Sequence, residues 1–334
     1  MCIRERRTRL HVYLMNDLVI LIFDTPSVQL MMHDAILTVL CRFVRAFLIG
    51  MSIILLCPSN SLASVDVCQQ PSDFSHLSVA YYSHDKSVVA GTAGQIDREN
   101  HNVDLQYKKN EIWSFGVGHR YVILDVEPIE LQTNGHLHTL FFPVHRQSGS
   151  DSKGFRISIA PSLSASSNVM KNPGEYSADT FQLLAALAWS RKLSDRVELR
   201  YGVCGDHRFG SYEIYPSITI GWRPRTNLMI EMGFPTTRLT YQALPSTSLS
   251  LQIAPYGNEW HVKSRDMENE SQLVFEATLI ECAVIWQARK HLAITASVGR
   301  ILHAQYDVTL LDDSSVRFSD DAVTRIGAAL EWRF

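Results

Sequence analysis

Beyond residue 63 this chain of 334 residues has no apolar run longer than Leu183 to Trp189. A membrane helix needs about 20 such residues, so helical spans are excluded there. A basic surplus is also missing. Lys and Arg number 31 against 34 Asp and Glu, for a net charge of -3, which excludes the electrostatic footprint of a nucleic-acid binder. Cysteine is scarce: there are six, and Cys2, Cys41 and Cys57 precede residue 64. Cys68, Cys204 and Cys282 remain, an odd and widely spaced set that forms no zinc pattern and no assignable disulfide framework. One pair can oxidise in an oxidising compartment, but spacing does not choose which. Gly91-Thr92-Ala93-Gly94 is too short for a phosphate loop and precedes no helix. No cofactor and no metal is expected.

What the chain does have is alternation. From Ala322 to Phe334, Ile326, Ala328, Leu330, Trp332 and Phe334 share one parity, and Arg325, Gly327, Glu331 and Arg333 the other. A strand sends successive side chains to opposite faces, so this segment has one apolar and one charged face. Similar segments recur back to His76, for example Phe155, Ile157 and Ile159 against Arg156 and Ser158, and Leu228, Ile230 and Met232 against Glu231. They read as 12 or 14 strands, depending on whether the short ones near 136–144 and 236–243 span fully. Short turns at 109–110, 193–195, 223–226, 245–247 and 289–291 alternate with longer loops at 84–100, 125–135, 166–177, 205–210, 263–271 and 312–321. Short turns on one side and long loops on the other are expected of an all-β, single transmembrane antiparallel barrel. Phe234-Pro235-Thr236 is a short connection on the long-loop side and does not fit.

The N-terminus points to export. Residues 40–63 have the form of a Sec-type secretory signal: Arg42 and Arg45, an apolar core from Ala46 to Leu56, Pro58, and small Ser61 and Ala63 at the cleavage positions. Residues 1–30 fit no export pattern, and translation is expected to start near Met31 or Met32. Residues 64–75 then form a periplasmic leader, and 76–334 the barrel.

Energetics choose the facing. A basic residue turned to lipid at the midplane costs roughly 2–4 kcal/mol, so the charged parity must line the lumen. Arg156, Glu198, Arg200, Glu213, Glu231, Arg238, Arg325 and Glu331 all sit on it. Glu198 and Arg200 are expected to pair with Glu213 and Arg223 on the next strand. Glu281 and Arg300 follow the apolar parity of their strands and need a bulge or a place near the headgroups.

The closing strand resembles the C-terminal strand of bacterial outer-membrane β-barrels, and Leu330, Trp332 and Phe334 are the positions matching the signal that the barrel assembly machinery reads. Glu231-Met232-Gly233-Phe234-Pro235, Arg238-Leu239-Thr240-Tyr241 and Ala254-Pro255-Tyr256-Gly257-Asn258-Glu259-Trp260-His261-Val262 resemble a proteobacterial family of outer-membrane β-barrels of unknown function. The resemblance implies a bacterial outer-membrane location, with lipid and lipopolysaccharide around the wall. It carries no catalytic residues.

Three functions compete. A small passive channel or ligand-binding barrel uses unpaired lumen charges for selectivity. A structural barrel pairs them all in a closed lattice. A lipid-modifying enzyme needs a nucleophile and base; His76-Leu77-Ser78 has the spacing of outer-membrane phospholipase but no third member. His136 and His138 share a strand face, yet two ligands leave a metal site incomplete.

Overall fold

The computed structural model describes residues 10–15, 18–23, 67–68, 74–88, 94–127, 135–150, 152–263, 270–310, 315–320 and 322–334. The chain divides into two units, Met1–Cys57 and Pro58–Phe334. In the first, β1 (Leu10–Met15) and β2 (Leu18–Phe23) pair antiparallel, with Leu10 opposite Phe23. The expected signal segment, residues 40–63, lies outside the described residues.

The second unit is a closed barrel. Its strands are β3 (His76–His84), β4 (Ser87–Val88), β5 (Gln95–Lys108), β6 (Trp113–Glu127), β7 (His136–Phe141) and β8 (Val144–Ser150). Then come β9 (Lys153–Ser166), β10 (Phe181–Ser194), β11 (Val197–Asp206), β12 (Glu213–Arg225), β13 (Leu228–Phe234) and β14 (Thr237–Leu244). The last are β15 (Thr247–Pro255), β16 (Asn258–Lys263), β17 (Glu270–Arg289), β18 (Leu292–Leu310), β19 (Ser315–Asp320) and β20 (Val323–Arg333). Wall neighbours run antiparallel, and β20 closes the ring on β3 with Leu330 opposite Val79. Four wall strands are interrupted (β3/β4, β7/β8, β15/β16 and β19/β20), so the wall has 14 strands.

Alternation explains the wall. Leu183, Val203, Ile218, Met232, Val298 and Ile326 point outward, each about half exposed. Trp189, Trp222, Trp286 and Trp332 lie on the same outer face, each a few residues from the short-turn end of its strand. A continuous apolar exterior with an aromatic girdle belongs in a bilayer, since water would penalise so large a patch. We call the end with the short turns the turn end and the other the loop end.

Two expected loops are partly wall or helix. The stretch 84–100 contains β4 and the start of β5, so Arg98 and Asn100 are strand residues. The stretch 166–177 holds α1 (Ser167–Lys171) and a short 3-10 turn.

The connection at Pro235–Thr236 has a structural reason. β13 and β14, of 7 and 8 residues, are the shortest uninterrupted wall strands, so the wall is low there and needs only a tight turn. Beside that notch β16 leaves the wall. After Pro255 the chain bends at Tyr256–Gly257, where a Cβ on Gly257 would meet the Gly210 nitrogen at 2.6 Å and the Arg208 and Phe275 carbonyls at 2.7 Å. Only glycine fits so close a backbone approach. β16 still pairs with β17, but it leans across the lumen to β9, with His261 opposite Ala165. Ser164 Oγ and Gln182 Nε2 donate to the Glu259 carbonyl at 2.6 and 2.9 Å.

The lumen therefore has two tiers. Towards the loop end Trp260, Val262, Leu273, Phe275, Ile301 and Tyr306 pack into a buried apolar core. Towards the turn end the lumen is polar. The apolar tier also corrects the reading of Glu281. It lies on the lumen parity of β17 with Leu279 and Ala283, is 1% exposed, and needs no bulge. Its parity looked lipid-facing because Leu273, Phe275 and Leu279, which share it, face a greasy core instead of water. Arg300 does lie on the outer face, exposed, and its Nη1 donates to Thr324 Oγ1 at 3.0 Å. It is paired with the loop-end start of β20, above the apolar belt, where a long basic chain can snorkel to headgroups.

Candidate functional site

The polar tier is built by the lumen parity of β9 to β15. Arg200 on β11 does not pair with β12. Its Nη2 bonds Glu231 Oε1 on β13, two strands away, while Glu198 Oε2 lies 4.0 Å from Arg200 Nε. Gly221 lies between them on β12, opposite Glu198 and Glu231, and a Cβ there would sit 3.6 Å from Arg200 Nη2. The missing side chain lets the guanidinium cross the strand. The expected pairing with Glu213 and Arg223 does not occur, because Glu213 is exposed at the loop-end start of β12. Arg238 donates from Nε to Gln252 Oε1 at 3.0 Å. Glu331, 3% exposed, takes Arg333, whose Nη1 also reaches Gln287 Oε1 at 2.7 Å. Leu330, Trp332 and Phe334 are on the outer face, and the Phe334 amide donates to the Ser75 carbonyl at 3.1 Å.

Within the expected leader, Val67 and Cys68 lie inside the barrel. Ser75 is fixed at the turn end, where its Oγ accepts from the Lys108 amide at 2.9 Å. Cys68 is inside the lumen, disulfide-bonded to Cys204 on β11 with Cα atoms 5.8 Å apart. Arg156 Nη2 donates to the Cys68 carbonyl at 2.9 Å. Seven residues of chain reach at most about 25 Å, enough to climb from the turn end to mid-lumen. Cys282, exposed, is the free thiol among the described residues. Sequence spacing could not choose this pair, because the partners meet only once the leader is folded back inside the ring.

Three cavities meet at this leader tip. One of about 560 Å³ is lined by Arg156, Glu198, Arg200, Thr219 and Cys68. A second of about 150 Å³ is lined by Arg200, Glu231, Arg238 and Cys68. The third, about 120 Å³, lies against Val67 on its way to the apolar tier and is lined by Asn100, Arg120, Tyr256, Glu281 and Arg325.

Around that third cavity stands a cluster the sequence reading largely missed. Arg325 and Glu281 form a buried pair, Nη1 to Oε1 3.3 Å, with side chains 6% and 0% exposed. The Arg325 guanidinium lies 3.7 Å from the Tyr82 ring centre, and that of Arg98 lies 3.9 Å from the centre of Phe275. Both lie 5.2 Å from the Tyr256 ring. Asn100 Nδ2 donates to the Tyr256 hydroxyl, and Arg98 Nε to Asn100 Oδ1 at 3.2 Å. Arg120 shares the polar parity of β6, which was the available signal. Arg98 was hidden in a stretch that read as loop.

His76 and Ser78 lie on the lumen parity of β3, and Ser78 is 1% exposed between Glu331 and Asp104 in register. This pair presents no nucleophile to lipid. His136 and His138 are on the outer face near the loop end. There His138 Nδ1 is 3.0 Å from His119 Nε2, and both rings stack with Tyr121. Among the described residues no cluster of three or more metal-ligating groups forms.

No family model matches the chain, and no curated protein does. Solved structures similar in outline include the COG4313 outer-membrane channel from Pseudomonas putida F1, at 9% identity and TM-score 0.44, covering 82% of this chain and 100% of that one. A KdgM porin matches at 10% identity and TM-score 0.34, over 77% and 99% of the two chains. The toluene transporter TodX of Pseudomonas putida matches at 10% identity and TM-score 0.37, over 82% and 95%. Likeness at this level adds nothing to what the barrel's own geometry establishes.

Proposed function

We propose that this is an outer-membrane barrel that takes up a small solute through its turn end, binds it in the polar tier, and passes it on only when the apolar tier opens. The turn end is the periplasmic side, as expected for short turns. The two-tier lumen carries this reading. The larger cavities on the turn side carry charges and room for a small solute, whereas a barrel built only as a wall needs no such space.

Conductance in planar bilayers tests it. The wild type is expected to pass little current, and Trp260→Ala, which empties part of the apolar tier, is expected to conduct. A folded Trp260→Ala barrel that stays silent and binds no solute would favour the second reading, a purely structural barrel. That reading rests on one observation: the apolar tier is filled by side chains.

A further inference from the structure

We infer that the cavity beneath Tyr256 is a binding site for a small oxyanion, a carboxylate or phosphate group borne by a solute. The inference rests on the solute-binding reading but not on conduction. Charge is the first argument. The cavity is lined by Arg120, Arg208 and Arg325 against Asp206 and Glu281, an excess of one cation. Arg208 is matched to Asp206 at 2.9 Å and Arg325 to Glu281 at 3.3 Å. The Arg120 side chain is left facing the cavity with no hydrogen bond or salt bridge among the described residues.

Behind Tyr256, Arg98 is 5% exposed and its Nη1 has no hydrogen-bond partner. Asp104 is the carboxylate nearest to balancing these two, acting on Arg120 through space. One buried guanidinium charge stays uncompensated, and burial of an unpaired cation is costly.

Geometry is the second argument. Ring stacking on Tyr82 occupies a face of Arg325, so its edge remains to donate into the cavity, while Arg98, stacked on Phe275, adds positive charge from behind Tyr256. Guanidinium edges match the two oxygens of a carboxylate or phosphate. Asn100, Asn102, Gln252 and Asn258 add neutral amides around the same space. A cavity of about 120 Å³ suits the anionic end of a solute, with the remainder extending past Val67 towards the larger cavities.

Calorimetric titration of the purified barrel in detergent decides it, with inorganic phosphate and acetate in separate arms. Saturable binding of at least one is expected, and Arg120→Gln should weaken it about 10-fold or more, the loss of one charge-assisted contact. Arg300→Gln, a control on the outer face of the wall, should leave it unchanged. Phosphate alone binding would assign the group as phosphoryl, acetate alone as carboxyl. No saturable binding to folded wild type, or equal loss in both variants, overturns the inference. Heat-modifiable migration on a gel shows that each variant has folded. Anion binding with no current even in Trp260→Ala would keep this site and sink channel function; current with cation preference in Trp260→Ala and no anion binding would do the reverse.

Discussion

Removing both members of the Glu281–Arg325 pair should cost clearly less than the two single removals added together. Glu281 and Arg325 sit 3.3 Å apart with side chains 0% and 6% exposed. At an effective dielectric of about 20, Coulomb attraction at that distance is about 5 kcal/mol. Glu281→Gln keeps the shape but leaves Arg325 without its anion beside Arg98 and Arg120. Breaking one side of a buried pair typically costs about 3–5 kcal/mol. Arg325→Met alone should cost a comparable amount by stranding Glu281. The double variant Glu281→Gln, Arg325→Met removes both charges and should lose about 2 kcal/mol or more less than the sum, since charges in contact couple. Urea unfolding of the detergent-solubilised barrel, read by the fraction of heat-modifiable species, measures each step. Additive losses would refute the pairing. Glu281→Gln should also tighten phosphate binding, because the cavity then gains a unit of positive charge; unchanged or weaker binding would argue against charge as the basis of the site.

Gly221→Leu should block the route of Arg200 over β12 and detach it from Glu231, without moving the wall. Chemical cross-linking or a crystal structure of the variant would show Arg200 turned to Glu198, and an unchanged Arg200–Glu231 contact would contradict this. Cys68→Ser or Cys204→Ser should free the leader, seen as faster protease cleavage ahead of Ser75 and larger solute access to the polar tier; equal cleavage rates with and without the disulfide would show that other contacts hold it. Cys282 should react with a small apolar maleimide but not with a bulky polar one while the barrel is in a bilayer. Labelling by both equally would place β17 outside the lipid.

The wall was legible because lipid and water dictate opposite parities. Leu228, Ile230 and Met232 against Glu231, or Ile326 and Leu330 against Arg325 and Glu331, need no partner to announce which side is wet. Legibility ended where the lumen turned dry. In the loop half of β17 and β18 the lumen parity is the apolar one, with Glu276 and Asp307 on the other, so Leu273, Phe275 and Tyr306 read as lipid-facing and Glu281 on their parity seemed misplaced. β16 carried no sign of leaving the wall except Gly257, whose need for a bare backbone arises only from Arg208 and Gly210 far away in sequence. Long-range pairs such as Cys68 with Cys204, or Arg200 with Glu231 across Gly221, depend on register and on closure. Local alternation contains neither.

The link from Cys68 to Cys204 has a consequence for the order of biogenesis. Residue 68 is translated ahead of the whole wall, yet its sulfur ends up encircled by that wall, bound to a strand made 136 residues later. The bond can form only after β11 has been exported and residue 68 has reached the lumen side of the sheet, whether before the β20–β3 seam closes or afterwards through the barrel mouth. Once formed, it tethers the start of the chain to a strand on the inner wall.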